Sequence, residues 1–431
     1  MTAPRSRETA ARGRRRARAT VGLAALALAL SCSAGGFRER DGHAPDASSA
    51  PGPDAPRAAI LRVGTSGDYP PFSILADLDS HALAPVRGFD VELAARIARD
   101  LALGIEWVPF RWPELAARVA ADEFDVVASG VTWRPERAVS GWMTRTTAVG
   151  GPCVVGDPAP ARVAVNHGGV LERFARARFA GAEILALDDN RALGRALTRR
   201  RADAIVTDSF ERPHLDLPTE TPFACEAKTD RKVLWLAPAR AAELGPQLDA
   251  WLASHEDEID ELRVRWLGGS APRTGTDHLL DLLARRLAYM PAVAAWKRAH
   301  GVTIEDAARE VAVLDAARQE AQRAGLEPAA VAALFALQIE LSKRAQADAV
   351  EAPDAAARPA LDLGGQIRPE LVRLGARIVA AAARVAPLDA TTLDAADWAP
   401  LDAGLRPDER RRLRAALLAI EPSARRGATD D

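Results

Sequence analysis

From Ile60 to Ala237 short β-branched runs alternate with amphipathic stretches; beyond Gly268-Gly269-Ser270-Ala271-Pro272 the strand signals stop. A period of two followed by one near 3.6 commits the chain to an α/β region and then an all-α region. Strands are expected over Ile60 to Gly64, Ile105 to Pro109 and Phe124 to Ala128, with helices over Phe89 to Leu101 and Pro113 to Ala121. The pattern repeats with strands at Arg162 to Val165, Ile184 to Leu187 and Ala204 to Thr207, and helices at Leu171 to Arg178 and Arg191 to Arg199. Lys232 to Ala237 returns to the first lobe, and a helix through Trp251 closes the unit, with a basic end at Arg263 to Trp266. Two α/β lobes with mostly parallel sheets, joined by crossing strands, place a ligand cleft between them.

The later region reads as a helical bundle. Asp277 to Ala299 is expected as one helix punctuated by Pro291, and Thr303 as the N-cap of a helix through Ala324, with Asp306 three residues on. Further helices cover Leu326 to Ala349 and Glu370 to Arg384. The tail from Thr391 has apolar turns at Leu413 to Ile420 and no assigned role. In this apolar stretch Arg286, Lys297, Arg309, Arg377 and Gln346 recur near inward positions, which points to a pocket for a dianion. Arg286 and Lys297, eleven residues apart, fall close to three full turns; Ser342 and Gln346 differ by four and share a face.

The 431 residues carry 57 basic and 59 acidic side chains, a formal charge of -2 that argues against a nucleic-acid partner. Seven arginines in the first twenty residues precede an apolar run from Val21 to Leu30, too short to span a bilayer and suited to a secretory leader. Two readings stand at its end, cleavage after Ala34 or lipid attachment at Cys32, the latter the one route to a membrane. Export favours pairing of Cys153 with Cys225; the alternative is two small buried thiols. Residues 1–34 thus form the leader, 35–59 a flexible spacer, 60–268 the two-lobed unit, 269–276 a linker and 277–425 the bundle. No His/Cys/Asp/Glu spacing suggests a metal, and no cofactor is called for.

Leu61-Arg62-Val63-Gly64-Thr65, Gly67-Asp68-Tyr69-Pro70-Pro71-Phe72, Gly88-Phe89-Asp90 and Ser129-Gly130-Val131-Thr132, followed by Pro135-Glu136-Arg137, resemble the periplasmic amino-acid-binding proteins. That resemblance implies Arg137, with Thr132, as the grip on a ligand carboxylate, suited to a planar guanidinium. Arg111-Trp112-Pro113-Glu114-Leu115, Asn166-His167-Gly168-Gly169 with Glu172, and Thr207-Asp208 leading to Glu211 resemble the cyclohexadienyl dehydratases, exported enzymes on the same scaffold that act on prephenate and often on arogenate. The resemblance implies Glu211 as general acid. By location Trp112 could wall the ring, the amides of Asn166, Gly168 and Gly169 could bind a carboxylate, and Asp68 could orient the hydroxyl or cap the turn at Pro70. Val170-Leu171 stands where the family has Thr-Asn, and Arg231-Lys232 lies one step from the family's lysine and receives no role.

From Leu279 to Val385 the spacing of Arg286, Lys297, Asp306, Arg309, Ser342, Gln346 and Arg377 resembles the all-helical chorismate mutases, the exported class above all. That implies Arg286 and Arg377, beside Arg309 and Ser342, on the carboxylates, and Lys297 and Gln346 about the ether oxygen; Glu310 would receive the substrate hydroxyl. Together the resemblances imply an exported bifunctional enzyme taking chorismate through prephenate to phenylpyruvate. The competing expectation is an amino-acid-binding or sensor protein fused to a chorismate mutase.

Overall fold

The computed structural model describes residues 59–75, 86–226, 228–269, 273–351 and 361–423; the leader, Cys32 and most of the spacer lie outside them. The first lobe opens with β1 (Ile60–Thr65), the small hairpin β2 (Asp68–Tyr69) and β3 (Ser73–Ile74), then α1 (Phe89–Asp100), β4 (Gly104–Pro109), α2 (Leu115–Ala120), β5 (Val126–Val127), α3 (Pro135–Ala138), β6 (Trp142–Met143) and β7 (Ala148–Gly150). The second runs through β8 (Pro152–Gly156), β9 (Arg162–Asn166), α4 (Val170–Arg178), β10 (Glu183–Leu187), α5 (Ala192–Thr198), β11 (Ala204–Asp208) and β12 (Phe223–Cys225). The chain returns through β13 (Asp230–Lys232), β14 (Trp235–Leu236), α6 (Pro238–Ser254) and α7 (Glu256–Leu267).

The lobes are five-stranded sheets of order β4-β1-β5-β14-β6 and β10-β9-β11-β8-β12. In each, three strands pair in parallel and two pair antiparallel, so the sheets are more mixed than their alternating pattern suggests. The antiparallel strands are the ones the crossing segments supply. β7 and β13 form a separate two-stranded ribbon between the lobes. A disulfide joins Cys153 on β8 to Cys225 on β12, closing one edge of the second lobe.

The bundle consists of α8 (Gly275–Ala288), α9 (Met290–Ala299), α10 (Ala307–Arg323), α11 (Pro328–Glu351) and α12 (Arg368–Val385). The single helix expected over Asp277 to Ala299 is two, parted at Tyr289, because Pro291 has no N–H with which to continue the ladder. The cap of α10 is Asp306, whose carboxylate accepts from the Arg309 amide; Thr303 instead donates to the Glu305 carbonyl. Three short tail helices, α13 (Ala390–Ala395), α14 (Ala399–Asp402) and α15 (Pro407–Leu418), bury Leu393, Trp398, Leu401, Leu413 and Leu417 against the bundle.

Helix α8 is buried on all sides, with Leu279, Leu280, Leu282 and Leu283 fully enclosed. It is packed between the bundle and the crossing strands. Asp281 accepts from Thr146 at 2.7 Å and pairs with Arg231 at 3.0 Å and Arg273 at 2.9 Å, while Arg285 donates to the Thr144 carbonyl at 2.9 Å. One hydrophobic core therefore runs from the first lobe into the bundle.

Candidate active sites

The bundle holds a cavity of about 220 Å³. Arg286 from α8, Lys297 from α9, Asp306, Arg309 and Glu310 at the start of α10, Ser342 and Gln346 from α11 and Arg368 from α12 border it, with Val313 and Phe335 among its apolar walls. Burial comes first in setting the charges here. It pulls the Arg286 guanidinium down to about 10, with Arg309 adding repulsion, and it lowers Lys297, which Asp306 partly offsets. An arginine at about 10 remains charged at neutral pH, so the cavity concentrates positive potential. Lys297 donates to the Ile304 carbonyl at 2.6 Å, Arg286 to the Leu371 carbonyl at 3.3 Å, and Gln346 turns its amide nitrogen to the Ser342 carbonyl at 3.1 Å. The Gln346 carbonyl oxygen, the Ser342 hydroxyl and the Arg286 Nε are buried with no protein partner, so each has hydrogen-bonding capacity left for a ligand.

Arg377 does not join them. It donates to Asp249 at 2.9 Å and to the Met143 carbonyl at 3.2 Å, and its guanidinium lies 4.7 Å over the Trp142 ring, on the first lobe. The reason is helical phase: at about 100° per residue, positions 368 and 377 point to opposite sides of α12. The cavity-facing side carries Arg368, Val372, Gly375, Ala376 and Val379; Arg373 and Arg377 share the side that grips Trp142. Arg368, which pairs with Asp306 at 3.5 Å, is the cation that sequence reasoning missed; the buried Leu374 and Ile378 lie about midway between Arg368 and Arg377 around the helix, so the pattern of α12 does not tell the two apart.

Between the lobes a small cavity of about 30 Å³ is bordered by Tyr69, Trp112, Thr132, Arg137, Asn166, Gly169, Val170, Leu171, Asn190 and Lys232. That is room for two or three waters, so the lobes are closed and must part to admit a ligand. Arg137 donates to the Thr132 carbonyl at 3.2 Å, and burial lowers it to about 10. Lys232, unassigned from sequence, is at the centre: its ammonium contacts Asp208 at 2.8 Å, Tyr69 at 2.9 Å and Thr132 at 3.0 Å. Its place follows from β13, whose isolated bridge to Thr132 sets the register.

Glu211 sits behind this surface, 2% exposed, with Oε2 accepting from the Thr207 hydroxyl at 2.6 Å and the Asp208 amide at 3.3 Å. Burial, with Asp208 and Asp68 adding repulsion, raises its carboxyl to about 8, so it is mainly protonated at neutral pH. The Arg212 beside it donates to the Pro218 carbonyl at 2.8 Å. Asp68 is not a turn cap. It accepts from Trp112 Nε1 at 3.2 Å and from the Asn190 amide at 3.3 Å, tying the first lobe to the second, and burial raises its carboxyl. The Gly168 amide is unavailable to a ligand, because it donates to Glu172 at 2.7 Å. Gly168 has φ +75°, with a Cβ there meeting Pro113 at 3.2 Å, so its glycine serves the turn.

The fold and these two sites define a class: a two-lobed solute-binding scaffold continued by a helical chorismate mutase domain. Residues 61–290, more than half the chain, match the family described as bacterial extracellular solute-binding proteins, family 3, and residues 276–347 match chorismate mutase type II. The chain belongs to that solute-binding family. The cyclohexadienyl dehydratase of Pseudomonas aeruginosa is 32% identical over 168 residues, covering 36% of this chain and 61% of that protein. The monofunctional chorismate mutase of Enterobacter agglomerans is 36% identical over 117 residues, 26% of this chain and 64% of its own. The L-cystine-binding protein TcyJ of Escherichia coli is 29% identical over 173 residues, 37% and 62%. The chain thus spans about three fifths of the length of these relatives. A solved ancestral amino acid-binding protein, AncCDT-1, described as a precursor of cyclohexadienyl dehydratase, is similar at 25% identity over 48% of this chain and 95% of its own, with a TM-score of 0.43. Among the described residues no helix is long and apolar enough to cross a membrane.

Proposed function

We propose that the protein is an exported bifunctional enzyme: the bundle rearranges chorismate to prephenate, and the cleft converts prephenate to phenylpyruvate. The observation that carries the reading is the convergence of Arg286, Lys297, Arg309 and Arg368 on one cavity that also holds Ser342 and Gln346. A pericyclic shift needs no acid, base or nucleophile. It needs the two carboxylates held so that the side chain folds over the ring, and donors where charge grows on the ether oxygen. Arg286, Arg309 and Arg368 supply the first; Lys297 supplies the second, joined by the Gln346 amide nitrogen once a ligand displaces its weak contact with the Met290 sulfur. Enzymic rate gains begin at roughly 8 kcal/mol, within reach of several such preorganised contacts.

In the cleft Arg137 holds a carboxylate. The protonated Glu211 gives its proton to the ring hydroxyl, the C–O bond breaks and water leaves. The ring carboxylate departs as carbon dioxide, and its bonding pair completes the aromatic ring. Glu211 is left ionised and recovers its proton from solvent when the lobes part. The leader that ends near Cys32, in a family of extracellular proteins, supports export.

The test uses purified protein with chorismate and with prephenate. Lys297→Ala should abolish chorismate loss and leave the cleft untouched; Glu211→Gln should abolish phenylpyruvate formation and leave the mutase intact. Prephenate left unchanged by the parent protein, alongside tight binding of a free amino acid, would replace the dehydratase half with a binding role.

A further inference from the structure

The small cavity between the lobes has an unusual balance of charge, given a scaffold whose relatives include an amino-acid binder. Arg137 and Lys232 border it, and no carboxylate does. The acids behind it are already committed. Asp208 accepts through Oδ1 from the Phe210 amide at 3.1 Å and the Ser209 hydroxyl at 3.2 Å, and through Oδ2 from the Tyr69 hydroxyl at 3.0 Å and the Lys232 ammonium at 2.8 Å. Asp68 is held between Trp112 and Asn190. Lys232 has a side chain only 2% exposed, and its three contacts use all three ammonium protons.

A substrate ammonium brought here would meet two cations and no free carboxylate, the one unpartnered acceptor among the described lining residues being the neutral Asn190 carbonyl oxygen. Burying a cation without a charge partner is strongly unfavourable. A 2-oxo acid carries no such group: its carboxylate and ketone oxygen only accept, matching the Arg137 guanidinium and the positive charge of Lys232. Resting on the dehydratase reading and narrowing it, we infer that the cleft selects a dicarboxylate ending in a 2-oxo acid and rejects the corresponding 2-amino acid. Lys232 is the specificity-determining residue, because its ammonium takes the place on Asp208 that an amino-acid ammonium would need.

The experiment measures binding by calorimetry to the Glu211→Gln protein, which holds ligand without turning it over, with prephenate and arogenate as probes. Prephenate should bind at least about tenfold more tightly. Equal or tighter binding of arogenate overturns the inference. Lys232→Met should lower prephenate affinity and raise that for arogenate, moving the ratio by about tenfold or more towards the amine. Chorismate turnover in the bundle reports whether that variant is folded; loss of both ligands with turnover intact overturns the role of Lys232. Should Lys232→Met fail to fold, Asp208→Asn decides: it leaves the cleft with no acid to gain, so arogenate must stay the weaker ligand, and any preference for it overturns the inference. The two readings fail separately. Selective prephenate binding with no phenylpyruvate formed by the parent protein removes the dehydratase reading and leaves the selectivity standing.

Discussion

Replacing Glu211 with glutamine should make the protein more stable, and more so as pH rises. In the unfolded chain the carboxyl titrates near 4.5; in the fold it titrates at about 8. Below the lower value both states hold the proton and the group is neutral to folding. Between the two the unfolded state has lost it while the folded state keeps it, so stability falls as pH rises, and above about 8 the loss is complete. One pKa unit is about 1.4 kcal/mol. The penalty is thus about 1 kcal/mol at pH 5, about 3 kcal/mol at pH 7 and close to 5 kcal/mol at pH 9.

Glutamine keeps an acceptor for the Thr207 hydroxyl and the Asp208 amide and does not ionise, so it removes this penalty. Thermal melts of parent and Glu211→Gln at pH 5.5, 7 and 8.5 test it. The variant should melt slightly higher at the lowest pH, with the gap widening at each step, while phenylpyruvate formation is lost throughout. A gap that is flat or that narrows with pH would show that Glu211 is ionised in the fold, and would remove it as a general acid at neutral pH. The outcome would also separate this acid from an ordinary surface glutamate, whose replacement moves stability by a few tenths of a kcal/mol at any pH.

The two activities should diverge with pH: prephenate turnover falls above about 8 as Glu211 deprotonates, whereas chorismate turnover stays flat from 6 to 8 because the Gln346 amide donates at any of those values; parallel profiles for both would argue against a neutral donor in the bundle. Arg368→Ala should lower kcat/KM for chorismate by about 10²-fold or more, and Arg377→Ala by less than about tenfold, since only the first borders the cavity; the reverse order in steady-state kinetics would restore Arg377 to the site. Asp281→Asn leaves the buried Arg231 and Arg273 to share Asp397 as their remaining carboxylate, a loss of about 3 kcal/mol that a fall in melting temperature would register; an unchanged melt would mean the Asp281 pairs are dispensable.

Most of the fold could be read from periodicity because several of its helices bury one face each and its central strands are short buried runs. Phe89–Asp100 and Arg368–Val385 repeat apolar residues every three to four positions, and Arg162–Asn166 and Ala204–Asp208 are short apolar runs between turns. The bundle cations were legible as a set, since Arg286, Lys297 and Arg309 stand where an apolar segment has no use for charge. What periodicity could not supply was phase. Arg377 and Arg368 are both arginines on one helix, and only tertiary contact decides which meets the cavity and which meets Trp142. Lys232 was missed for a related reason: β13 is three residues long, too short to carry a pattern, and its register comes from pairing with Ala148–Gly150 and Thr132. Gly168 was misjudged because its amide is taken by Glu172, a hydrogen bond between a turn and the next helix that composition does not reveal.

The linker-like Gly-Gly-Ser-Ala-Pro suggests a bundle that hangs free, and the side chains after it say otherwise. Asp281 and Arg285, one turn apart on α8, hold Thr146, the Thr144 carbonyl and Arg231, which lie on the two segments that cross between the lobes. The very next residue, Arg286, borders the bundle cavity. Burial works against the charge of Asp281, but Arg273, Arg231 and Arg285 outweigh it and hold the carboxyl below its usual range, so the anchor is ionised at neutral pH. Lys232 follows Arg231 directly. A single buried helix therefore sets one cation of the bundle cavity and, through the neighbour of Lys232, part of the cleft; cutting the chain after Gly269 would remove Asp281 and Asp397, both carboxylate partners of Arg231, from beside the cleft.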